Sequence, residues 1–250
     1  LAGLMGYVAV LALLVLDLGR PDRFYNFMLY WNVHSPLFEI SCCVLFYSTV
    51  LVLETSPNFL RRLPWRWVKP LLRVIAWIML PVTILGVTLS TLHQSTLGTM
   101  YLNMPHRLHP LWYTPLLPVL FYVSSIMAGL SLGILAYKAA CALRGTAEDR
   151  RVAPGLGQGL FWVAALYAAL KLGELVWANE LALLLDGSYG LFWGIEVVVG
   201  VLLPVMLLAR RSWRQNTRVQ IAAPMLVLTG VLLKRFNATL FGQVLPHGCS

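Results

Sequence analysis

Apolar residues run along this chain in seven blocks, separated by short stretches rich in Arg, Pro, Gly and aromatic residues. The blocks cover roughly residues 1–16, 36–55, 71–92, 115–137, 158–178, 190–209 and 219–236. Most approach the roughly 20 residues a helix needs to cross a hydrocarbon core. Backbone groups in a bilayer must be satisfied within their own segment, so runs of this length predict helices rather than barrel strands. The pattern predicts an all-α fold: a polytopic transmembrane helical bundle with at least seven spans, in one helical domain over residues 1–250.

Composition strengthens that reading. Of the 250 residues, 59% are hydrophobic and 12% charged, about half the charged share of soluble domains. Mean hydropathy is +0.74. A soluble fold is excluded. The net charge of +9 would suit nucleic acid, but the cations stand in short connections between apolar blocks, as topology signals do. The expected partner surface is therefore lipid, with no nucleic acid.

The cations are unevenly shared. Connections 56–70, 138–157 and 210–218, with Arg73 and Lys138 at adjoining helix ends, hold thirteen of the nineteen Lys and Arg. The opposite connections and the tail hold five: Arg20, Arg23, Arg107, Lys234 and Arg235. Lys171 lies within a span. The positive-inside rule assigns the Arg-rich side to the cytoplasm and the other to the periplasm of a bacterial or archaeal inner membrane. All five histidines (His34, His93, His106, His109, His247) fall on the second side, beside Tyr25, Tyr30, Trp31, Trp112 and Tyr113. An interfacial aromatic belt accounts for the tyrosines and tryptophans, but not for five histidines.

The four cysteines (Cys42, Cys43, Cys141, Cys249) show no CxxC spacing, so no disulfide framework and no metal site is expected. Leu1 opens inside an apolar run without an initiator Met, which leads us to expect a piece of a longer protein.

Ionisable groups inside a bilayer are costly and are functional candidates by default. Glu39 sits one turn inside its block, Glu196 lies within the sixth, and Lys234 and Arg235 close the seventh. Lys171 and Glu174, spaced i,i+3, share a helix face with Tyr167. Tyr7 stands ten residues before Asp17, about 15 Å along a helix. A structural Lys171–Glu174 ion pair and an interfacial Glu39 would explain these residues one by one. Their gathering in one half of the membrane points instead to a polar pocket that opens outward. A headgroup with two carbonyls, such as a quinone, needs donors that also deliver protons, and Tyr, His, Lys and protonated Glu are suitable types. Bis-His haem ligation needs histidines well inside facing helices; His93, at the end of its block, comes nearest, so no haem is expected.

Several motifs carry a family resemblance. Asp17-Leu18-Gly19-Arg20, Trp31-Asn32-Val33-His34-Ser35-Pro36-Leu37-Phe38-Glu39, His93-Gln94-Ser95-Thr96-Leu97-Gly98, His109-Pro110-Leu111-Trp112, Gly173-Glu174-Leu175 and Phe192-Trp193-Gly194-Ile195-Glu196 are spread over nearly the whole chain. Together they resemble the NrfD/PsrC-type quinone-interacting membrane subunits, and most of all the HybB branch, the "b-type cytochrome" subunit of periplasm-facing nickel–iron hydrogenases. The resemblance implies a haem-free helical bundle that binds menaquinone or ubiquinone near the periplasmic face. It also implies an iron–sulfur subunit docked on that face and fed by a catalytic subunit, here a nickel–iron hydrogenase. By resemblance, Tyr7, Glu39 and His93 match positions tied to quinone binding and proton passage, and Gln94 adjoins them. Asp17 and Arg20 match the turn after the first helix, and Arg235-Phe236-Asn237 resembles an Arg-containing motif. Lys171, Glu174 and Glu196 join the candidate binding residues, Lys171 on burial cost alone. Two rivals stay open. The same fold oxidises quinol for a molybdopterin polysulfide, thiosulfate or tetrathionate reductase, or for a multihaem cytochrome complex. A secondary transporter is the other, suggested by Pro81 and Pro204 inside spans but opposed by the absence of an internal repeat.

Overall fold

A computed structural model describes the chain except residues 1, 18, 104–107, 179–180, 186 and 243–250. His106, Arg107, His247 and Cys249 lie outside the described residues. Seven principal helices follow in order: α1 Ala2–Asp17, α2 Pro36–Leu60, α3 Val68–Leu102, α4 Leu117–Arg144, α5 Val152–Trp177, α6 Gly187–Ala209 and α7 Thr217–Phe236. A π-helical turn, Val198–Leu202, lies within α6, and another, Asn237–Phe241, continues α7. Helices α2 to α7 are each long and apolar enough to cross a membrane. α1 has 16 residues, roughly 24 Å of rise, and counts as a seventh span only together with its bent continuation Pro21–Leu29. The chain is thus a multi-pass membrane protein with six to seven spans.

The largest departure from expectation concerns α3. The apolar block predicts a span over 71–92, but the helix runs on to Leu102. The polar residues His93, Gln94, Ser95 and Thr96 end the apolar run without ending the helix, because nothing among them breaks it. His93 and Gln94 therefore stand inside a helix and not in a loop. At 35 residues, α3 has roughly four turns more than a span needs.

Two compact units divide the chain, Leu1–Leu97 and Gly98–Ser250, with the boundary inside α3. In the first, Pro36 opens α2, where a missing N–H costs nothing. Cys43, Val50 and Leu89 form the seam of α2 and α3, with Tyr47 and Val82 packed on it. α1 joins by Tyr7, edge-on to Tyr47 at 4.9 Å between ring centroids. Outward residues such as Trp77 and Leu80 are exposed, as a lipid-facing surface requires.

In the second unit α4, α5, α6 and α7 enclose a core that includes Leu120, Met127, Ile134, Leu160, Ala164, Leu208, Ala223 and Val227. Lipid tails are as apolar as Leu, so helices associate there by close packing and rely on small residues. Gly200 and Gly230 supply that contact: a Cβ on Gly200 would stand 2.4 Å from Gly230 Cα. Two helix ends of this unit are capped in ordinary ways. Gly145 ends α4 with φ +63°, a left-handed conformation that glycine adopts freely. Asn216 opens α7 by accepting a hydrogen bond from the Arg218 N–H.

Candidate functional site

Polar residues inside the helices gather in two centres, one in each unit, built from side chains one helical turn apart. In the first unit, Thr96 Oγ1 on α3 donates to Glu39 Oε1 on α2 at 3.0 Å, its hydroxyl also 2.8 Å from Leu92 O. Thr96 is buried. His93 precedes it by three residues and so shares its helix face. A carboxyl, a hydroxyl and an imidazole thereby belong to one pair of facing helices. Tyr7 is placed differently. It packs on Tyr47, eight residues beyond Glu39 on α2, roughly 12 Å along that helix. Buried Cys43 lies between them on the same stripe.

The remaining first-unit candidates stand apart from this pair. Arg20 is exposed and reaches Asp22 at 3.7 Å, a surface ion pair within its own turn. Asp17 ends α1. Gln94 is half-buried on α3 beside His93. A cavity of about 360 Å³, lined among others by Asn26, Tyr30, Asn32, Phe38 and Ser41, opens beside the start of α2. It has neither a carboxylate nor an imidazole in its wall. Glu39 follows Leu37 by two residues, about 200° around the helix, so it faces away from that cavity.

Three helices contribute pairs to the second centre: Tyr167 and Lys171 on α5, Trp193 and Glu196 on α6, and Lys234 on α7 with Asn237 at the start of the π turn that continues it. Glu196 is 2% exposed. Its Oε2 accepts from Trp112 Nε1 and from Asn237 Nδ2, each at 3.0 Å. Lys234 Nζ donates to Leu120 O at 2.8 Å and Ser124 Oγ at 3.3 Å, and lies 4.8 Å from the Tyr167 ring centroid. Arg235 stacks its guanidinium 3.8 Å over the Phe121 ring. Tyr167, Glu196, Lys234 and Ser124 border a small cavity of about 10 Å³, the room of one water.

Two local expectations fail here. The i,i+3 spacing suggested a Lys171–Glu174 ion pair, but none forms among the described residues. Lys171 is buried with its Nζ 5.6 Å over the Trp193 ring, while Glu174 is half-buried. The ring offers a dehydrated ammonium a cation–π partner on a facing helix. Trp112 belongs to no aromatic belt: it is 1% exposed and its indole N–H is committed to Glu196. Trp31 and Tyr30 do lie exposed, as belt residues should. Lys234 is among the intramembrane cations that the sequence marks as candidates, whereas Trp112 is hidden by its resemblance to a belt residue. The His109-to-Trp112 motif is the signal that could have found it.

Glu196 Oε1, Asn237 Oδ1 and Trp193 Nε1 are buried without hydrogen-bond partners among the described residues. Each such group costs about 1–3 kcal/mol. Glu196 precedes one π turn by two residues and Asn237 begins the other, and π turns inside helices recur at functional sites. The centre therefore holds acceptors and donors beyond what packing uses, which suits groups that pass protons or bind a polar ligand.

Comparison with known proteins shows which family the chain resembles over its length. The profile of the family described as polysulphide reductase, NrfD, matches residues 1–246. A protein of Nitratidesulfovibrio vulgaris is 37% identical over 97% of this chain and 64% of its own length. The probable Ni/Fe-hydrogenase 2 b-type cytochrome subunit of Escherichia coli is 29% identical over 96% of this chain and 62% of its own. The menaquinone reductase integral membrane subunit of N. vulgaris is 36% identical over 40% of this chain and 24% of its own. The chain thus spans somewhat over three-fifths of the first two relatives.

Proposed function

The chain belongs to the polysulphide reductase NrfD family, and we propose that it is the membrane subunit through which a respiratory oxidoreductase exchanges electrons with a quinone. The observation that carries this reading is the Thr96–Glu39 contact, with His93 one turn away on the same helix. Reducing a quinone to a quinol consumes two electrons and two protons. A carboxylic acid held by a hydroxyl donor can pass a proton to a quinone oxygen and be recharged by a neighbouring group. The second centre, in the other unit, adds buried Lys171, Glu196, Lys234 and Asn237, which are proton carriers and polar anchors. Electrons would come from an iron–sulfur subunit. The hydrogenase relative favours a nickel–iron hydrogenase as its source. The family's own description, polysulphide reductase, favours the reverse flow, in which quinol is oxidised to supply a reductase. The direct test is the purified complex with its co-purifying subunits: it should reduce a menaquinone or ubiquinone analogue with the partner's electrons. An assembled complex that reduces a soluble dye but no quinone overturns the reading.

The subunit itself should show no haem absorbance. Among the described residues His34 is exposed and His109 is stacked on Tyr189 at 4.5 Å, which leaves His93 alone inside a long helix. A stoichiometric Soret band on this chain, after its partners are stripped away, would refute that expectation.

The partner should dock on the His-rich side. Electrons must arrive near Glu39, and the Arg-rich connections are accounted for by topology. Because α3 extends to Leu102, the docking segments are 17–35 and 103–114. Crosslinks from the iron–sulfur subunit should concentrate there. Crosslinks confined to 56–70 and 138–157 would place the partner on the opposite side.

A further inference from the structure

At the Arg-rich end of the second unit a cavity of about 480 Å³ opens between the start of α5 and the α6–α7 connection. Arg150, Arg151, Arg211, Arg214, Gln158 and Gln215 line it, and no carboxylate does. A second cavity, of about 550 Å³, shares Arg150 and Gln215 and includes Glu148 and Asp149. Both acids are engaged: Glu148 pairs with Lys138, and Asp149 Oδ1 accepts from the Arg151 N–H at 2.9 Å. Among the described residues no ion pair reaches any of the four arginines.

The backbone that carries them is held in place. Gln220 Nε2 donates to Arg214 O at 2.8 Å, and the Asp149 N–H donates to Tyr137 Oη at 2.7 Å. Topology needs cations in a connection but does not need them to converge on one cavity. Four guanidinium groups without a counter-charge repel one another, and their planar forks match phosphate oxygens. The apolar surroundings narrow the choice. From Gln158 at the cavity, α5 continues at four-residue spacing with Trp162, 65% exposed, and Leu166, 53% exposed. An anion-binding cavity thus stands at the head of an apolar helix face, the polarity of a lipid molecule.

We propose that this cavity binds the headgroup of an anionic phospholipid, with the phosphate held by Arg151, Arg211 and Arg214 and an acyl chain lying along Trp162 and Leu166. Basic pockets between transmembrane helices suit such headgroups. A soluble phosphate would use the same arginines and leave the apolar face idle.

The test uses the full-length protein in its complex, delipidated in detergent. Phosphatidylglycerol, phosphatidylcholine and inorganic phosphate are titrated separately, with the thermal midpoint and retained lipid as readouts. Phosphatidylglycerol should bind saturably and raise the midpoint, whereas the other two should not. The combined variant Arg151→Gln, Arg211→Gln, Arg214→Gln should weaken that binding by about 10²-fold, at about 5-fold for each arginine. Arg61→Gln with Arg62→Gln and Arg66→Gln, in a different Arg-rich connection, should leave it unchanged. If the combined variant does not assemble, Arg214→Gln alone should still weaken binding by about 5-fold. Stabilisation by inorganic phosphate equal to that by the lipid overturns the proposal, as does equal weakening by the distant variant. No preference for phosphatidylglycerol over phosphatidylcholine overturns it too.

Discussion

Glu39→Gln should lower quinone-linked turnover by about 10²-fold or more, the low end of general acid–base contributions. Electron transfer from substrate to a soluble dye, which bypasses the quinone, should stay at the wild-type rate. The amide keeps the size of the side chain and still accepts from Thr96, whose hydroxyl reaches Glu39 Oε1 at 3.0 Å. Assembly should therefore survive, and what disappears is a proton that the amide cannot give. Both rates are measured on the same purified complex, so a folding defect would lower both together. Unchanged quinone turnover in an assembled Glu39→Gln complex would make Glu39 an interfacial residue held by a neighbouring threonine, and the quinone reaction would have to be sought elsewhere.

Gly200→Val should destabilise the second unit by about 3 kcal/mol or more, at or beyond the upper end of ordinary overpacking. The new Cβ would stand 2.4 Å from Gly230 Cα, and Gly230 is backbone that no rotamer change can move aside. The two helices must part, and with them the side chains on either side of the crossing, Glu196 on α6 and Lys234 on α7. In detergent the variant should show a lower thermal midpoint and a poor yield of assembled complex. Gly129→Ala serves as the comparison, because a Cβ there meets nothing within 4 Å. It should be neutral or gain up to about 1 kcal/mol from helix propensity. A Gly200→Val protein that melts like the parent would show that α6 and α7 do not touch at these glycines.

The helices were legible because a bilayer tolerates few alternatives: a long apolar run must satisfy its own backbone. Glu39 was legible for the same reason, as an acid just inside such a run. Thr96 was not. A threonine bonds the carbonyl one turn back, as this one does with Leu92, so its hydroxyl costs little in lipid and leaves no mark on the pattern. Lys171 shows the limit of local spacing. The sequence offers Glu174 three residues away, yet the ammonium is taken by Trp193, on the next long helix. The end of α3 was misjudged because hydropathy reports polarity, whereas a helix ends only where its hydrogen bonds do. Neither Arg cavity nor Gly200–Gly230 contact was readable, since both arise where distant connections and helices meet.

The π turn at Val198–Leu202 has a consequence for rotation. An α-helix turns about 100° per residue, and a π turn accommodates one extra residue, which offsets everything beyond it by about that angle. In unbroken α-helix the twelve residues from Glu196 to Leu208 would leave the two about 120° apart. With the offset they come within about 20° of a common line, and both are buried, at 2% and 1% exposure. The carboxylate and the apolar seam below it share the core because the π turn absorbs the one residue by which the chain between them exceeds a regular helix. Azimuth here is set by the turn: drawing all twelve residues into regular α-helix would swing either Glu196 or Leu208 toward lipid, whereas removing one residue together with the π turn would keep both facing inward.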